Sequence, residues 1–558
     1  MSEVNWIIKN KDVSDETVLS LMGDLGCGYL LASVLCARGI TNATEAKKIT
    51  EHSEIWHDPM MLPDIALAVN RIKNAKARGE LVAVYGDYDA DGITATVIMQ
   101  SCLEEYGLKV IKYIPSRSDE GYGLNTVAID RLKSEGVSLI VTVDCGISSK
   151  ADIDYAKGIG IDTIVTDHHN CPEELPSCIA VVNPKRKDSL YPCRFLAGAG
   201  VAYKFACALL GLEASENFLE FAAIGTVADV VEIQDENRKI VNEGLKIINS
   251  TPSCGVEALL MAASKTEADS TTLAFIIGPR INCAGRMESP EPAYKLLKSA
   301  NIEEAAGFAE QLNQLNRERQ KSEQEIYEEA ISEIKRRSLH NDKVIIVGGT
   351  NWNPGVIGIA AAKITEKAYK PCILIAYDKN GEGRASGRST EGFNLYEALK
   401  NCESLLTKYG GHSQAAGLSI LRENEEEFRS MMNKYADNVM TKDSEIRKVM
   451  IDALVTPEVI TVNGIRELSL LEPFGTGNEK PVFAIADAKI ADMRELSEGK
   501  HLKLVLRKKD CNIDAIAFGY GPLAKKLYKG MSVHISGNIE INDYTGNPQI
   551  IVKDILYK

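Results

Sequence analysis

The chain has 558 residues, 45% hydrophobic and 25% charged, with a formal net charge of −14, which is the composition of an ordinary globular soluble protein of about three to four domains. No apolar run reaches about 18 residues, so no membrane span is expected, and the opening MSEVNWIIKNKDVSDE lacks a signal-peptide pattern, so the expected location is cytoplasmic. The 13 cysteines include no C-x-x-C pair, which argues against a zinc finger or a thioredoxin-like centre, and the acidic balance argues mildly against a protein coated in nucleic acid while leaving room for a local basic groove.

Residues 1–60 read as a small helical segment. From about residue 80, apolar strand-like runs alternate with helix-like segments: LVAVYG with ITATVIMQSCLEEYG, KVIKYIP with NTVAIDRLKSEG, SLIVTVDCG with SKADIDYAKGIG, then DTIVTDHH. Continuous apolar strands in β-α alternation predict a parallel sheet covered by helices, within a domain spanning 61–300. Residues 302–338 carry one long helical pattern without proline, read as a connecting helix at 301–338. A second, smaller α/β segment follows at 339–445. The remainder, 446–558, has short alternating runs such as HLKLVLRKK and SVHISGNIEI with turn residues between, which predicts a small OB-like β-barrel. Residues 500–558 hold ten Lys/Arg (500, 503, 507, 508, 509, 525, 526, 529, 553, 558) against five Asp/Glu (510, 514, 540, 543, 554), a basic stretch in an acidic chain. Such a stretch is either a solvated face or a track for a polyanion.

The loop YGDYDADG places Asp87, Asp89 and Asp91 at every second position. The spacing matches the start of an EF-hand loop, but the twelfth position is Ile98 rather than Glu and the loop follows a strand-like run, so calcium is disfavoured. In parallel sheets, ligands bind beyond the carboxyl ends of the strands. The polar residues collect there: Asp87, Asp89 and Asp91 after the first strand, Arg117 after the second, Asp144 at the end of the third, Asp167, His168 and His169 at the end of the fourth. One Asp after a strand is ordinarily a helix cap or turn residue. Five or more at successive strand ends predict a metal site instead. With Asp229 added, the set is oxygen-rich with one or two imidazoles, which favours Mn²⁺ or Mg²⁺, and its size suits two ions about 3.5–4 Å apart.

At DYDADG, VTVDCG and VTDHH the sequence resembles the DHH phosphoesterase superfamily, named for the triplet Asp167-His168-His169. Further matching stretches are PSRSDEGYGLN, GTVADVV, GPRINCAGRM, LNRERQ, WNPGVIGIAA, GRASGRS, GGHSQAAGL and LEPFGTGN, so the resemblance covers most of the chain. Within the superfamily it is to the bacterial single-strand-specific 5′→3′ DNA exonucleases of recombination and repair. The implied fold is α/β: a parallel-sheet DHH domain and a smaller α/β DHHA1 domain joined by a long helix, plus a C-terminal OB-like barrel.

The resemblance implies that Asp87 and Asp89 hold one metal, that Asp91, His168 and Asp229 hold the other, and that Asp144 bridges them. Asp167 would support the site from behind, and His169 would face the scissile phosphate and neutralise charge or protonate the leaving group. Arg117, Arg280, Ser386, Arg388 and His412 match positions expected to touch phosphates, and Tyr544 in NDYTGN is a candidate stacking ring on the OB-like domain. The sequence departs from the family pattern at Asn353, Cys283 and Ala385, none of them an expected metal ligand. The implied reaction is two-metal hydrolysis of single-stranded DNA to 5′-mononucleotides, with a helicase and a single-strand-binding protein as candidate partners. Two other readings exist. A DHH enzyme of short oligonucleotides, cyclic dinucleotides or polyphosphate would ordinarily be shorter and lack residues 446–558. A non-catalytic single-strand-binding scaffold would have lost metal ligands, whereas here the set is complete.

Overall fold

The run Leu81–Tyr85 forms a strand whose residues Val82, Ala83, Val84 and Tyr85 are all fully buried, because helices cover both faces of its sheet. In the computed structural model, which describes residues 4–557 apart from 118, 119 and 122, the chain falls into two compact units. One comprises 57–231 and 240–447. The other comprises 4–56, 232–239 and 448–558.

The first unit begins with a five-stranded, all-parallel sheet. Its order is Lys109–Tyr113, Leu81–Tyr85, Val137–Val143, Asp162–Thr166, Ala180–Val182. The chain leaves Leu81–Tyr85 towards one edge and returns on its other side as Val137–Val143. The strand order therefore reverses between these two, and a crevice opens at their carboxyl ends. Helix Ala90–Glu105 is buried almost throughout and packs against helices Gly198–Leu210 and Leu219–Ala228, which explains its unpatterned apolar sequence.

The predicted connecting helix is present as Ile302–Arg336, 35 residues capped by Asn301, whose side chain accepts from the backbone of Glu303 and Glu304. Its Ile326, Ala330 and Ile334 share a core with Val347, Ile357 and Leu374 of the following α/β segment. That segment has the sheet order Leu406–Gly411, Ala415–Leu421, Glu382–Arg388, Cys372–Tyr377, Ile345–Thr350, with only the last pair parallel.

The second unit contains a closed five-stranded barrel. Phe483–Leu496 pairs with His501–Lys508, then Cys511–Ala517, Pro548–Tyr557 and Ser532–Ile541, which pairs back to Phe483–Leu496. The N-terminal segment has the expected helices, Asp15–Leu25, Tyr29–Ala37 and Ala43–Thr50, whose Leu21, Leu30, Leu31 and Leu35 lie in one core with Leu471 and Phe483. It also has a strand that the sequence reading lacks: Val4–Ile8 pairs with Arg447–Ile451, and Trp6 Nε1 donates to Asp554 Oδ2 at 2.8 Å. A partner more than 400 residues away leaves no local signal. All thirteen cysteines are free, and among the described residues no single helix is long and apolar enough to cross a membrane.

Candidate metal centre

The loop after Leu81–Tyr85 turns directly into helix Ala90–Glu105, with Asp89 as its N-cap: Oδ1 accepts from Gly92 N at 3.0 Å. Capping uses one carboxylate oxygen and leaves the other for a ligand. Asn282 fixes the same turn, its Oδ1 accepting from Ala90 N at 2.9 Å. Asp91 is fully buried and accepts from Gly198 N at 2.6 Å and Ala199 N at 2.8 Å, at the N-terminus of helix Gly198–Leu210. Asp144 leaves the third strand with φ 58°, and a Cβ on Gly198 would lie 2.6 Å from its own Cβ, so glycine is required at 198.

These turns converge three groups whose candidate ligand atoms lie within 4.8 Å of one another: Asp87, Asp89 and Asp144; Asp91, His168 and Asp229; Asp144, His168 and His169. His168 Nε2 is 3.0 Å from Asp144 Oδ1, 3.6 Å from Asp229 Oδ2 and 3.8 Å from Asp91 Oδ2. Asp144 and His168 each belong to two groups and so link the three.

Burial, then the neighbouring charges of Asp89, Asp229 and Asp91 respectively, push the carboxyls of Asp87, Asp91 and Asp144 well above the usual range. Burial and Asp89 push Asp229 up to about 7. Burial, helped by the charge of His169, holds His168 down at about 3, so it is a neutral imidazole. Carboxylates this close cannot all ionise without a cation. Asp87 Oδ1 is buried without a hydrogen bond, and the donors are carboxylate oxygens with imidazole, so the residues fit two hard divalent ions.

Asp167 is completely buried and its carboxylate is spent on the protein: Oδ2 accepts from Ile147 N at 2.9 Å, Oδ1 from His168 N at 2.7 Å and His169 N at 3.0 Å. Oδ1 also lies 2.8 Å from His169 Nδ1. Burial would raise Asp167, but these bonds bring it below the usual value. Burial likewise lowers His169, and Asp167 outweighs it, leaving His169 at about 9 and protonated at neutral pH.

Beside the carboxylates lies a pocket of about 260 Å³ lined by Arg117, Gly285, Arg286, Asn353, Gly355 and Arg384 among others. Arg117 sits 5.4 Å over the Tyr88 ring. Arg388 Nη1 donates to Ser386 Oγ at 3.0 Å and Gly387 O at 2.8 Å, and Gly358 backs both, since a Cβ there would lie 2.7 Å from Ser386 Oγ. Burial, then Arg117, lowers Arg286 to about 10, with Asp89 pulling the other way and Arg388 adding to the fall; burial and Arg117 lower Arg388 too. Three guanidiniums close enough to repel one another make this a candidate anion site.

Arg280 lies elsewhere. It donates to Ile276 O at 2.9 Å and Asn313 Oδ1 at 3.1 Å, tethering helix Gly278–Met287 to the long helix. Arg286, in the same motif, takes the cleft position. Spacing could not choose between them, because the helix is entered through a π-turn, Leu273–Ile277, that shifts its phase. Lys185, whose charge lowers both Asp229 and His168, was also missed; its only sequence signal is the basic NPKRK. His412 is exposed in the turn between Leu406–Gly411 and Ala415–Leu421. Tyr544, 99% exposed, tips a turn of the barrel in the second unit.

Family models match in the same order as the elements: the DHH family N-terminal domain over residues 81–226, the DHHA1 domain over 341–438 and the RecJ OB domain over 451–554. Fold and site thus define a metal-dependent phosphoesterase of the DHH–DHHA1 class. The single-stranded-DNA-specific exonuclease RecJ of Bacillus subtilis is 38% identical over 99% of this chain and 71% of its own length. That of Escherichia coli is 31% identical, over 94% and 95%. The crystal structure of RecJ in complex with Mn²⁺ from Thermus thermophilus superposes with a TM-score of 0.83 at 30% identity, covering 100% of this chain and 80% of that one. A second, in complex with Mg²⁺, has a TM-score of 0.77. The chain belongs to the RecJ family.

Proposed function

We propose that the protein is an exonuclease specific for single-stranded DNA, acting 5′→3′ and releasing 5′-mononucleotides with two Mn²⁺ or Mg²⁺ ions. The carrying observation is the convergence of strand-end carboxylates with His168, together with Arg117 and Arg286 in one pocket and Arg388 near enough to repel both. The RecJ relatives carry that name over nearly the whole of this chain, and the Thermus structures hold the two metals named.

Asp87 and Asp89 are the ligands assigned to one ion, Asp91, His168 and Asp229 to the other, and Asp144 to both. When bound, the ions supply an activated water and neutralise charge on the phosphate. Arg117, Arg286 and Arg388, with Ser386, hold the terminal phosphate and so set which strand end enters. Asp167 keeps His169 protonated and oriented, and His169 is the donor we assign to the departing 3′-oxygen. His412 and the barrel, with Tyr544, act on DNA beyond the reacting nucleotide. A helicase and a single-strand-binding protein would supply the strand; that part of the reading rests on the resemblance alone.

The test is a long single strand labelled at one end, incubated with Mn²⁺ or Mg²⁺. The expected result is early release of labelled mononucleotide from a 5′ label, with a 3′ label retained on shortening products. The reverse pattern rejects the polarity. Cleavage confined to di- to tetranucleotides would select a short-substrate phosphodiesterase.

A further inference from the structure

The stretch LEPFGTGN, residues 471–478, lies in the second unit and closes on residues 232–239 of that same unit. Ile233 N donates to Thr476 O at 2.8 Å, and Gln234 Nε2 donates to Gly477 O at 2.8 Å. Arg238 Nη2 donates to Glu472 O at 2.7 Å and to Leu470 O at 3.3 Å. The Ile233 side chain is buried. The two glycines of the loop permit this approach. A Cβ on Gly475 would lie 2.6 Å from Ile233 Cγ1, and one on Gly477, φ 75°, would lie 2.9 Å from Gln234 Nε2. Asn478 shapes the loop from inside: its Nδ2 donates to Leu471 O and Pro473 O, both at 2.8 Å, and its Oδ1 accepts from Arg38 Nη1 at 2.6 Å.

The gripped segment begins just after Asp229. Helix Leu219–Ala228 ends there, where Asp229 N donates to Gly225 O at 2.9 Å and Val230 N to Val227 O at 3.3 Å. Val230 then takes a left-handed backbone, φ 62°, and Asp235 another, φ 49°. Glycine is the usual residue for such a helix exit, and a β-branched side chain suits it poorly. Val230 is 66% exposed, so burial of its side chain does not account for the conformation. Released, the residue would leave the left-handed region, and the Asp229 carboxylate, with Oδ2 3.6 Å from His168 Nε2, would turn with it.

We propose that the loop 471–478 positions Asp229 for its metal ion. By fixing Ile233 and Gln234 it keeps Val230 left-handed, and so keeps the Asp229 carboxylate beside Asp91 and His168. Ile233, Gln234, Gly475 and Gly477 are positioning residues, and the link from them to Asp229 is the chain itself. The inference rests on the assignment of Asp229 to an ion with Asp91 and His168; it requires no particular substrate. The grip governs that ion alone, because the ion assigned to Asp87 and Asp89 draws on a different turn.

The test is Mn²⁺ binding to the full chain without DNA, with free Mn²⁺ counted by electron paramagnetic resonance. The parent should take about two equivalents. Gly475→Val/Gly477→Val leaves the sequence from Asp229 to Gln234 untouched. It should keep one equivalent at parental affinity and weaken the other by about tenfold or more, the scale set by the strain of one left-handed residue. Ile233→Ala/Gln234→Ala loosens the grip from its other side and should weaken the same equivalent. Adding Val230→Gly to either pair should recover most of the loss, since glycine keeps a left-handed turn without help. In a chain carrying Asp229→Ala, neither pair should cost anything further, because the residue they act through is gone. A lower melting temperature with both equivalents bound as in the parent would overturn the proposal and reduce the loop to packing. A loss shared by both ions, or one that Val230→Gly leaves in place, would overturn it too. A parent that takes fewer than two equivalents would reject the two-metal reading itself, and the proposal with it.

Discussion

Asp144 has a left-handed backbone, φ 58°, and sits 3% exposed among other carboxylates. Both features cost stability, a left-handed non-glycine residue about 1–3 kcal/mol. Asp144→Ala should therefore leave far-UV circular dichroism unchanged and abolish DNA hydrolysis, by about 10³-fold or more. Mn²⁺ at about 100 times its Kd should stabilise the parent by about 2.7 kcal/mol, seen as a raised melting temperature, and the variant by much less. Near-normal turnover in the variant would reject the bridging role. The two arginines of GPRINCAGRM separate cleanly. Arg286→Ala should lower kcat/KM by about 10–100-fold, 1.4–2.8 kcal/mol of lost phosphate binding. Arg280→Ala should lower the melting temperature and leave kcat/KM within about threefold.

At the scale of elements, Glu220 on helix Leu219–Ala228 receives the backbone N of Ser253, N-cap of helix Cys254–Ala262, at 3.1 Å. Burial pushes its carboxyl up to about 7, only partly offset by Ser253. A raised folded value means that the protonated form is favoured by folding. Its contribution is complete below the unfolded value of about 4.3 and is lost as pH rises through about 7. Glu220→Gln keeps an acceptor for Ser253 without the charge. Urea melts across pH should show the variant less pH-dependent between about 4 and 7, and more stable by about 1–3 kcal/mol at pH 8. The elements were largely legible because their cues are local. Val82 to Tyr85 form a continuous apolar run, Asn301 precedes the long helix as a cap, and 302–336 is free of proline. The strand Val4–Ile8 was not legible, because its alternation is short and its pairing partner begins at Arg447.

At the scale of the whole molecule, helices of residues 4–56 and the barrel of 448–558 share one core, although they lie at opposite ends of the chain. Three short helices bury too little apolar surface to be stable alone. Removing residues 1–56 would strip Leu21, Leu30 and Leu35 from Leu471 and Phe483. Amide hydrogen exchange should then show lost protection across Phe483–Leu496, while the parallel sheet around Leu81–Tyr85, in the other unit, keeps its protection. Equal protection of the barrel in the truncated chain would show that it folds without the N-terminal helices.

The sequence by itself determined the chemistry on offer: carboxylates and imidazoles at successive strand ends, the parallel sheet that puts those ends on one side, and the long helix after it. These follow from hydrophobic period and residue type, which act within a few positions along the chain. Tertiary structure alone decided which groups meet. It made Asp89 a cap as well as a candidate ligand and spent Asp167 on the backbone of Ile147, His168 and His169. It turned Arg286 to the pocket and Arg280 to Asn313 of the long helix. Burial and orientation depend on neighbours distant in sequence, and a local pattern carries no record of them.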